Sequence, residues 1–124
     1  EDFRPFAPSI MKEFVSDYFV ENQLSPFMER VLNIKDEKKH IIPAVTHIDG
    51  TGRLQTVDRV QHSRFHALIS KFHELTGIPI LLNTSFNENE PIVNTPAEAI
   101  DCFLRTKMDM LVMENVIIER SDNE

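Results

Sequence analysis

The sequence predicts an α/β or α+β fold in which one twisted mixed sheet is flanked by helices. Three observations lead to this class. Short apolar segments rich in β-branched residues alternate with segments whose apolar residues recur every three or four positions, as on one face of a helix. Gly and Pro separate many of these segments. No internal repeat is visible, so we expect one domain over residues 1–124.

Three segments have helical signals. Ser9 follows two prolines and is a candidate N-cap. Gly77 ends a second amphipathic pattern, and Thr95 with Glu98 has the spacing of a capping box. We therefore expect helices over 9–21, 63–76 and 96–105. The second helical segment also carries three histidines that we expect to face solvent: His62, His66 and His73.

Strands are predicted in the apolar segments between the helices. The run "IPILL", residues 78–82, is short and continuously apolar, which is typical of a strand buried on both faces near the centre of a sheet. Further strands are expected in "SPFMERVLNI", in "IIPAVTHI", in "RLQTV" and, as a hairpin, in "MLVMENVIIER".

Charge and composition exclude several function classes. Lys and Arg number 13 against 20 Asp and Glu, a formal net charge of -7 that argues against a nucleic-acid partner. No apolar run approaches the roughly 20 residues that span a bilayer, so no membrane partner is expected. Cys102 is the single cysteine and has apolar neighbours, which indicates a buried structural thiol in a reducing, cytoplasmic setting.

A polar cluster follows the predicted strand at 78–82. Within "LLNTSFNENEPIVNTPAEAI", Ser85 and Asn87 are short hydrogen-bonding residues just after the carboxyl end of the predicted strand. Ligand sites of α/β folds lie at the carboxyl ends of strands, so the two side chains could hold a phosphate or a carbonyl group. Alternatively, such side chains only satisfy the backbone of their own loop.

A second polar cluster, "THIDGTGRLQT", surrounds a glycine turn. Arg53 follows the turn on a predicted strand, where its guanidinium could hold a phosphate through two hydrogen bonds. Arg4 could join such an anion site or anchor the terminus. His47 and Asp49 could pair on a metal, but no third ligand accompanies them, so a hydrogen bond between them is favoured and no metal site is predicted.

Several longer motifs, taken in order, resemble one known family. The motifs are "FRPFAPSI", "SPFM", "PAVTHIDGTGRLQTV", "FHALISKFHELTGIPILLNTSFN", "EPIV" and "TPAEAI". Together they cover nearly the whole chain and are similar to the carboxyl-terminal domain of the nodulation- and antibiotic-type O-carbamoyltransferases.

This resemblance implies a fold like that of the threonylcarbamoyl-adenylate synthases and a biosynthetic transferase function. The domain would join carbamoyl phosphate and ATP, with Mg2+, into a carbamoyl-adenylate and release pyrophosphate. An N-terminal domain of the actin-like ATPase superfamily would then transfer the carbamoyl group to an acceptor hydroxyl. Any iron site would belong to that N-terminal domain. The alternative is a non-catalytic module that shapes the acceptor site of the partner domain.

The resemblance also implies the site residues. The related synthases carry a K-x-R pattern followed by S-x-N, and Ser85 with Asn87 supplies the second half. The first half would lie just before Glu1, so we expect a fragment of a longer two-domain protein, truncated at its N-terminus and inactive alone. Arg53 and Ser85 are the catalytic candidates, and Arg4 with Asn87 would complete substrate binding.

Overall fold

The computed structural model of the chain describes residues 6–84 and 93–121. The chain divides into two units, Glu1–Thr84 and Ser85–Glu124. In the described residues, the first unit holds a four-stranded sheet and the second holds one helix with a two-stranded sheet. The α+β class predicted from the sequence is confirmed, with two sheets rather than one in the described part.

Residues 6–84 of the first unit form four strands and two α-helices. In chain order they are β1 (Ala7–Met11), α1 (Val15–Tyr18), β2 (Arg30–Asn33), β3 (Thr51–Val57), α2 (Ser63–Thr76) and β4 (Ile80–Asn83). Single turns of 3-10 helix occupy Lys12–Phe14, Asp36–Lys38 and Pro43–Val45. The predicted helix over 63–76 is confirmed as α2, and Gly77 ends it in the left-handed conformation with a φ of 82°.

The strands of the first unit are ordered β2-β3-β1-β4. β1 runs parallel to β3, whereas the pairs β1–β4 and β2–β3 are antiparallel. The sheet is therefore mixed, as predicted. β1 and β3 hold its two inner positions, and all five residues of β1 are buried.

The prediction that the strand at 78–82 is central is wrong. β4 lies at one end of the strand order and pairs only with β1 in the part of the chain that the structure describes. Ile80 is buried, but Leu82 is 53% exposed. An apolar run shows that a strand contacts a core, but it does not show whether both strand edges are paired.

The predicted helix over 9–21 is also wrong. The segment begins with β1, continues through the 3-10 turn and has only four residues of α-helix. Ser9 is therefore a strand residue, opposite Gln55 of β3 and Leu81 of β4, and caps no helix. Pairing with strands on both sides outweighs the local helical signals here.

Two other strand predictions need correction. "IIPAVTHI" forms the 3-10 turn Pro43–Val45 instead of a strand, because Pro43 fixes its own φ and has no N–H to donate to a sheet. Ile42 and Val45 are nevertheless buried in the core. In "SPFMERVLNI" only Arg30–Asn33 is a strand, whereas "RLQTV" lies wholly within β3.

The two faces of the four-stranded sheet differ. One face packs Ile10, Leu54 and Ile80 into the main core together with Phe19 and other buried residues. The opposite face, which we call the α2 face, carries Ser9 and the other odd-numbered residues of β1, β3 and β4. α2 covers one end of this face through Ile69, which packs with Met11 and Val57.

The described residues of the second unit form α3 (Pro96–Arg105), β5 (Met110–Met113) and β6 (Val116–Glu119). The Thr95 hydroxyl accepts a hydrogen bond from the Glu98 backbone N–H at 3.1 Å, so the predicted cap and helix are confirmed. β5 and β6 form the predicted antiparallel hairpin. Cys102 is buried, as expected. No helix in the described ranges is both long and apolar enough to cross a bilayer.

Candidate functional site

The α2 face changes from apolar to polar along its strands. Near α2 its residues are the apolar Met11 and Val57. Two residues earlier along each strand, β1 carries Ser9 and β3 carries Gln55, and these two residues lie directly opposite each other. β4 adds Asn83 on the same face, two residues beyond Leu81. Three adjacent strands therefore place three polar side chains together.

These side chains form a closed hydrogen-bond network, the Ser9–Gln55–Asn83 cluster. The Ser9 hydroxyl donates to Gln55 Oε1 at 2.8 Å. Asn83 Nδ2 donates to Gln55 Oε1 at 2.9 Å and to Ser9 Oγ at 3.2 Å. Ser9 has no exposed surface, and the other two residues are half-buried. The network thus fixes two carboxamides at a partly open surface.

Two atoms of the cluster remain open to a ligand. Within the described residues, Gln55 Nε2 and Asn83 Oδ1 have no hydrogen-bond partner. In that same part of the chain no buried side-chain nitrogen or oxygen lacks a partner, so these two atoms must be reached by solvent. The cluster therefore offers one amide donor group and one carbonyl acceptor.

Arg53 lies on the same face and strand as Gln55. The two side chains are roughly 7 Å apart along β3, given the ordinary rise of a strand. Arg53 is exposed and lies opposite Val31 of β2. No other described residue makes a hydrogen bond or an ion pair with its guanidinium. The side chain is thus a free cation next to the cluster.

The turn before β3 is fixed by hydrogen bonds. The Thr51 hydroxyl and the Thr51 N–H donate to Asp49 Oδ1 at 2.7 and 3.0 Å, which holds the pKa of Asp49 below its ordinary value. The expected hydrogen bond between His47 and Asp49 is replaced by Thr51, whose hydroxyl lies 3.4 Å from His47 Nδ1. Over the described ranges no three His, Cys, Asp or Glu side chains could hold a metal ion together.

One of the three histidines does not face solvent as expected. His66 is 5% exposed, and its Nε2 lies 2.9 Å from a carboxylate oxygen of Glu13. The pair joins α2 to the 3-10 turn that follows β1. His73 contacts the ring of Phe14 edge-on, with 4.7 Å between the ring centroids. Both histidines therefore join α2 to the 3-10 turn Lys12–Phe14.

A cavity of about 520 Å3 lies elsewhere in the first unit. Residues 41–45, Phe72, Ile78 and residues 80–82 line it, and all of their side chains are apolar. A dianion such as a phosphate ester would lose its hydration there without gaining a charged or hydrogen-bonding partner. The open end of the α2 face is therefore the better candidate for an anion site.

Of the predicted site residues, the structure places Arg53. Arg4, Ser85 and Asn87 lie outside the described residues, so their convergence with Arg53 stays a prediction. The structure adds Ser9, which the sequence suggested only as a helix cap, and Gln55, which it did not single out, and it places Asn83 of the predicted polar cluster beside them. The alternation of Arg53 and Gln55 in "RLQT" puts both on one face of a strand and is the signal that could have pointed to Gln55.

The chain matches a described family and several curated proteins. Residues 1–120 match the family Carbamoyltransferase C-terminus. The chain is 44% identical to nodulation protein NolNO of Sinorhizobium fredii, over 97% of its own length and 18% of that protein. It is 43% identical to nodulation protein NolO of Bradyrhizobium diazoefficiens, over 97% of its length and 23% of that protein.

Similar proteins also occur outside the nodulation proteins. An uncharacterized protein of Synechocystis is 41% identical over 98% of the chain and 23% of that protein. The chain thus spans no more than 23% of the length of these three relatives. Because the family match extends over nearly all residues and includes β1, β3 and β4, the chain belongs to the carbamoyltransferase C-terminal family.

Proposed function

We propose that this domain makes a carbamoyl-adenylate from carbamoyl phosphate and ATP. A second, N-terminal domain of the actin-like ATPase superfamily would then transfer the carbamoyl group to an acceptor hydroxyl in a biosynthetic pathway of the cytoplasm. Membership in the carbamoyltransferase C-terminal family supports the transferase class. The length of the relatives, of which the chain spans 18% and 23%, leaves room for such a partner domain.

The free Arg53 guanidinium carries the proposal. It lies on the same sheet face as the Ser9–Gln55–Asn83 cluster and is not neutralised by any carboxylate of the described residues. A carbamoyl phosphate dianion needs a cation at one end and hydrogen-bonding groups at the other. Arg53 and the cluster offer both within the reach of one small ligand.

The proposed reaction balances with one water molecule. Water cleaves carbamoyl phosphate into carbamate and inorganic phosphate. An oxygen of the carbamate then attacks the α-phosphorus of ATP, the bond between the α- and β-phosphates breaks, and pyrophosphate leaves. Mg2+ would bind together with ATP, through the phosphates of the nucleotide, which is its usual mode of binding in such reactions.

The side chains would act by electrostatics and positioning. Arg53 would neutralise phosphate charge as it redistributes, and its planar guanidinium would fix the orientation of the oxygens. Ser85 and Asn87, which follow Asn83 closely in the chain, would fix the orientation of the phosphate, with Arg4 at the margin of the site. No nucleophilic side chain is needed, because the substrate oxygen itself attacks.

Substitution of Arg53 tests this proposal in a protein of full family length that carries the domain. Arg53→Ala should cost about 2–4 kcal/mol of transition-state stabilisation, or roughly 30- to 1,000-fold in the rate of pyrophosphate release. Arg53→Lys should recover only part of the rate, because the two-pronged geometry is lost. Arg64→Ala is the matched control, since Arg64 is an exposed arginine on α2.

Pyrophosphate and phosphate should appear in equal amounts and require both carbamoyl phosphate and ATP. Near-normal turnover of the Arg53→Ala protein would contradict the assigned role of Arg53. If the wild-type protein released no pyrophosphate but still carbamoylated an acceptor, the domain would instead be a non-catalytic module that shapes the acceptor site.

A further inference from the structure

The Ser9–Gln55–Asn83 cluster couples the orientations of its two carboxamides. Gln55 Oε1 accepts from Ser9 and from Asn83, so both of its lone pairs are used. Asn83 Nδ2 donates both of its hydrogens, one to Gln55 and one to Ser9. A flip of one amide alone would bring two donors or two acceptors together, so one donor and one acceptor stay open whichever way the coupled pair is turned. In this structure the open atoms are Gln55 Nε2, a donor, and Asn83 Oδ1, an acceptor.

A donor and an acceptor on two amides that are hydrogen-bonded to each other are complementary to one planar group. A carbamoyl group carries a carbonyl oxygen and an NH2 group on the same carbon. Gln55 Nε2 can donate to that oxygen while Asn83 Oδ1 accepts from that NH2. An acetyl group has the same shape and the same carbonyl, but its methyl group cannot donate a hydrogen bond to Asn83.

We propose that Gln55 and Asn83 form the subsite that recognises the carbamoyl group and distinguishes it from acyl groups of equal size. This inference rests on the proposed function, since it assigns the carbamoyl end of the substrate whose phosphate end Arg53 holds. Ser9 is the positioning residue. It is fully buried and acts on the ligand only by orienting the two amides that contact it. Arg53, further along β3, contacts a part that carbamoyl phosphate and acetyl phosphate share.

The discriminating experiment compares carbamoyl phosphate with acetyl phosphate. The measured quantity is the ratio of kcat/KM for the two substrates in ATP-dependent pyrophosphate release by a protein of full family length. Asn83→Leu should lower this ratio on the order of 10- to 100-fold, because only carbamoyl phosphate loses a hydrogen bond. Arg53→Ala should lower both rates and leave the ratio unchanged. Ser9→Ala should lower the ratio by less than Asn83→Leu, since both amides remain.

A second measurement uses the wild-type protein and so does not depend on the folding of any variant. In the 15N-labelled wild-type protein, the side-chain NH2 resonances of Gln55 should shift on saturation with carbamoyl phosphate. Resonances that do not move, or an unchanged substrate ratio in folded Asn83→Leu, would overturn the subsite while the proposed reaction stands. Absence of pyrophosphate release by the wild-type protein with carbamoyl phosphate would instead defeat the proposed function, and the subsite with it.

Discussion

Thr56→Val is expected to destabilise the fold by removing one buried acceptor. Thr56 is 4% exposed and lies on the core face of β3, next to the site residue Gln55. Its hydroxyl oxygen accepts the backbone N–H of Ser25 at 3.0 Å, and Ser25 has no exposed surface. Valine has nearly the same shape as threonine, so packing is preserved. The Ser25 N–H, however, is left without its partner.

The magnitude follows from the burial of that N–H. A buried donor that loses its acceptor costs about 1–3 kcal/mol, whereas an exposed one is hydrated by water. Thr51→Val is the matched control on the same strand. The Thr51 hydroxyl donates to Asp49, an exposed carboxylate that water and the Thr51 N–H still satisfy, so a loss of about 0.5 kcal/mol or less is expected.

Urea denaturation followed by circular dichroism measures both free energies of unfolding. The expected order is wild type, then Thr51→Val slightly below it, then Thr56→Val clearly lower. Equal losses in the two variants would refute the reasoning, because they would show that burial of the partner N–H does not decide the cost.

Two further outcomes are expected. Gly50→Ala should lower the free energy of unfolding by about 1–2 kcal/mol and Gly50→Asn should lower it less, because residue 50 has a φ of 85° that asparagine tolerates better than alanine. Thermal unfolding measures both losses of stability. Equal losses would contradict the conformational cause. Asp58 accepts hydrogen bonds from the Val60 N–H and from Lys12, which lower its pKa from the ordinary 3.8. The stability that the Asp58 carboxylate contributes is fully present well above pH 3.8 and is lost as the pH falls through the lowered pKa. The difference in free energy of unfolding between wild type and Asp58→Asn should therefore disappear in acid. A difference that stays constant with pH would contradict this.

The sequence predicted correctly those elements that are determined by residues close together in the chain. α2 is specified by apolar residues at helical spacing and by Gly77, which adopts the positive φ that a helix end favours. α3 is specified by Thr95, whose side chain caps the first turn. In the hairpin of β5 and β6 the partners are also neighbours in sequence. None of these elements requires knowledge of distant contacts.

The wrong predictions for residues 9–21 and for the position of β4 in the sheet both concern distant partners. Ser9 has a residue type and a position typical of a helix cap, yet it is a residue of the parallel strand pair formed by β1 and β3. That pairing joins residues 46 positions apart, and the hydrogen bond from Asn83 to Ser9 spans 74 positions. No local pattern contains this information. For the same reason Arg53 could be found from its motif, whereas the part that Ser9 of β1 plays in the cluster could not.

The composition of the cluster also fits the charge of the domain. The chain carries a formal net charge of -7, which opposes the approach of anionic substrates. A site built from many cations would be attracted to the chain's own carboxylates, and each such ion pair would have to break before a ligand could bind. Oriented amides avoid this competition, since they carry dipoles without net charge and are already held by Ser9. The free arginine therefore supplies positive charge where the proposed phosphate lies, and the two carboxamides supply directional hydrogen bonds where the proposed carbamoyl group lies.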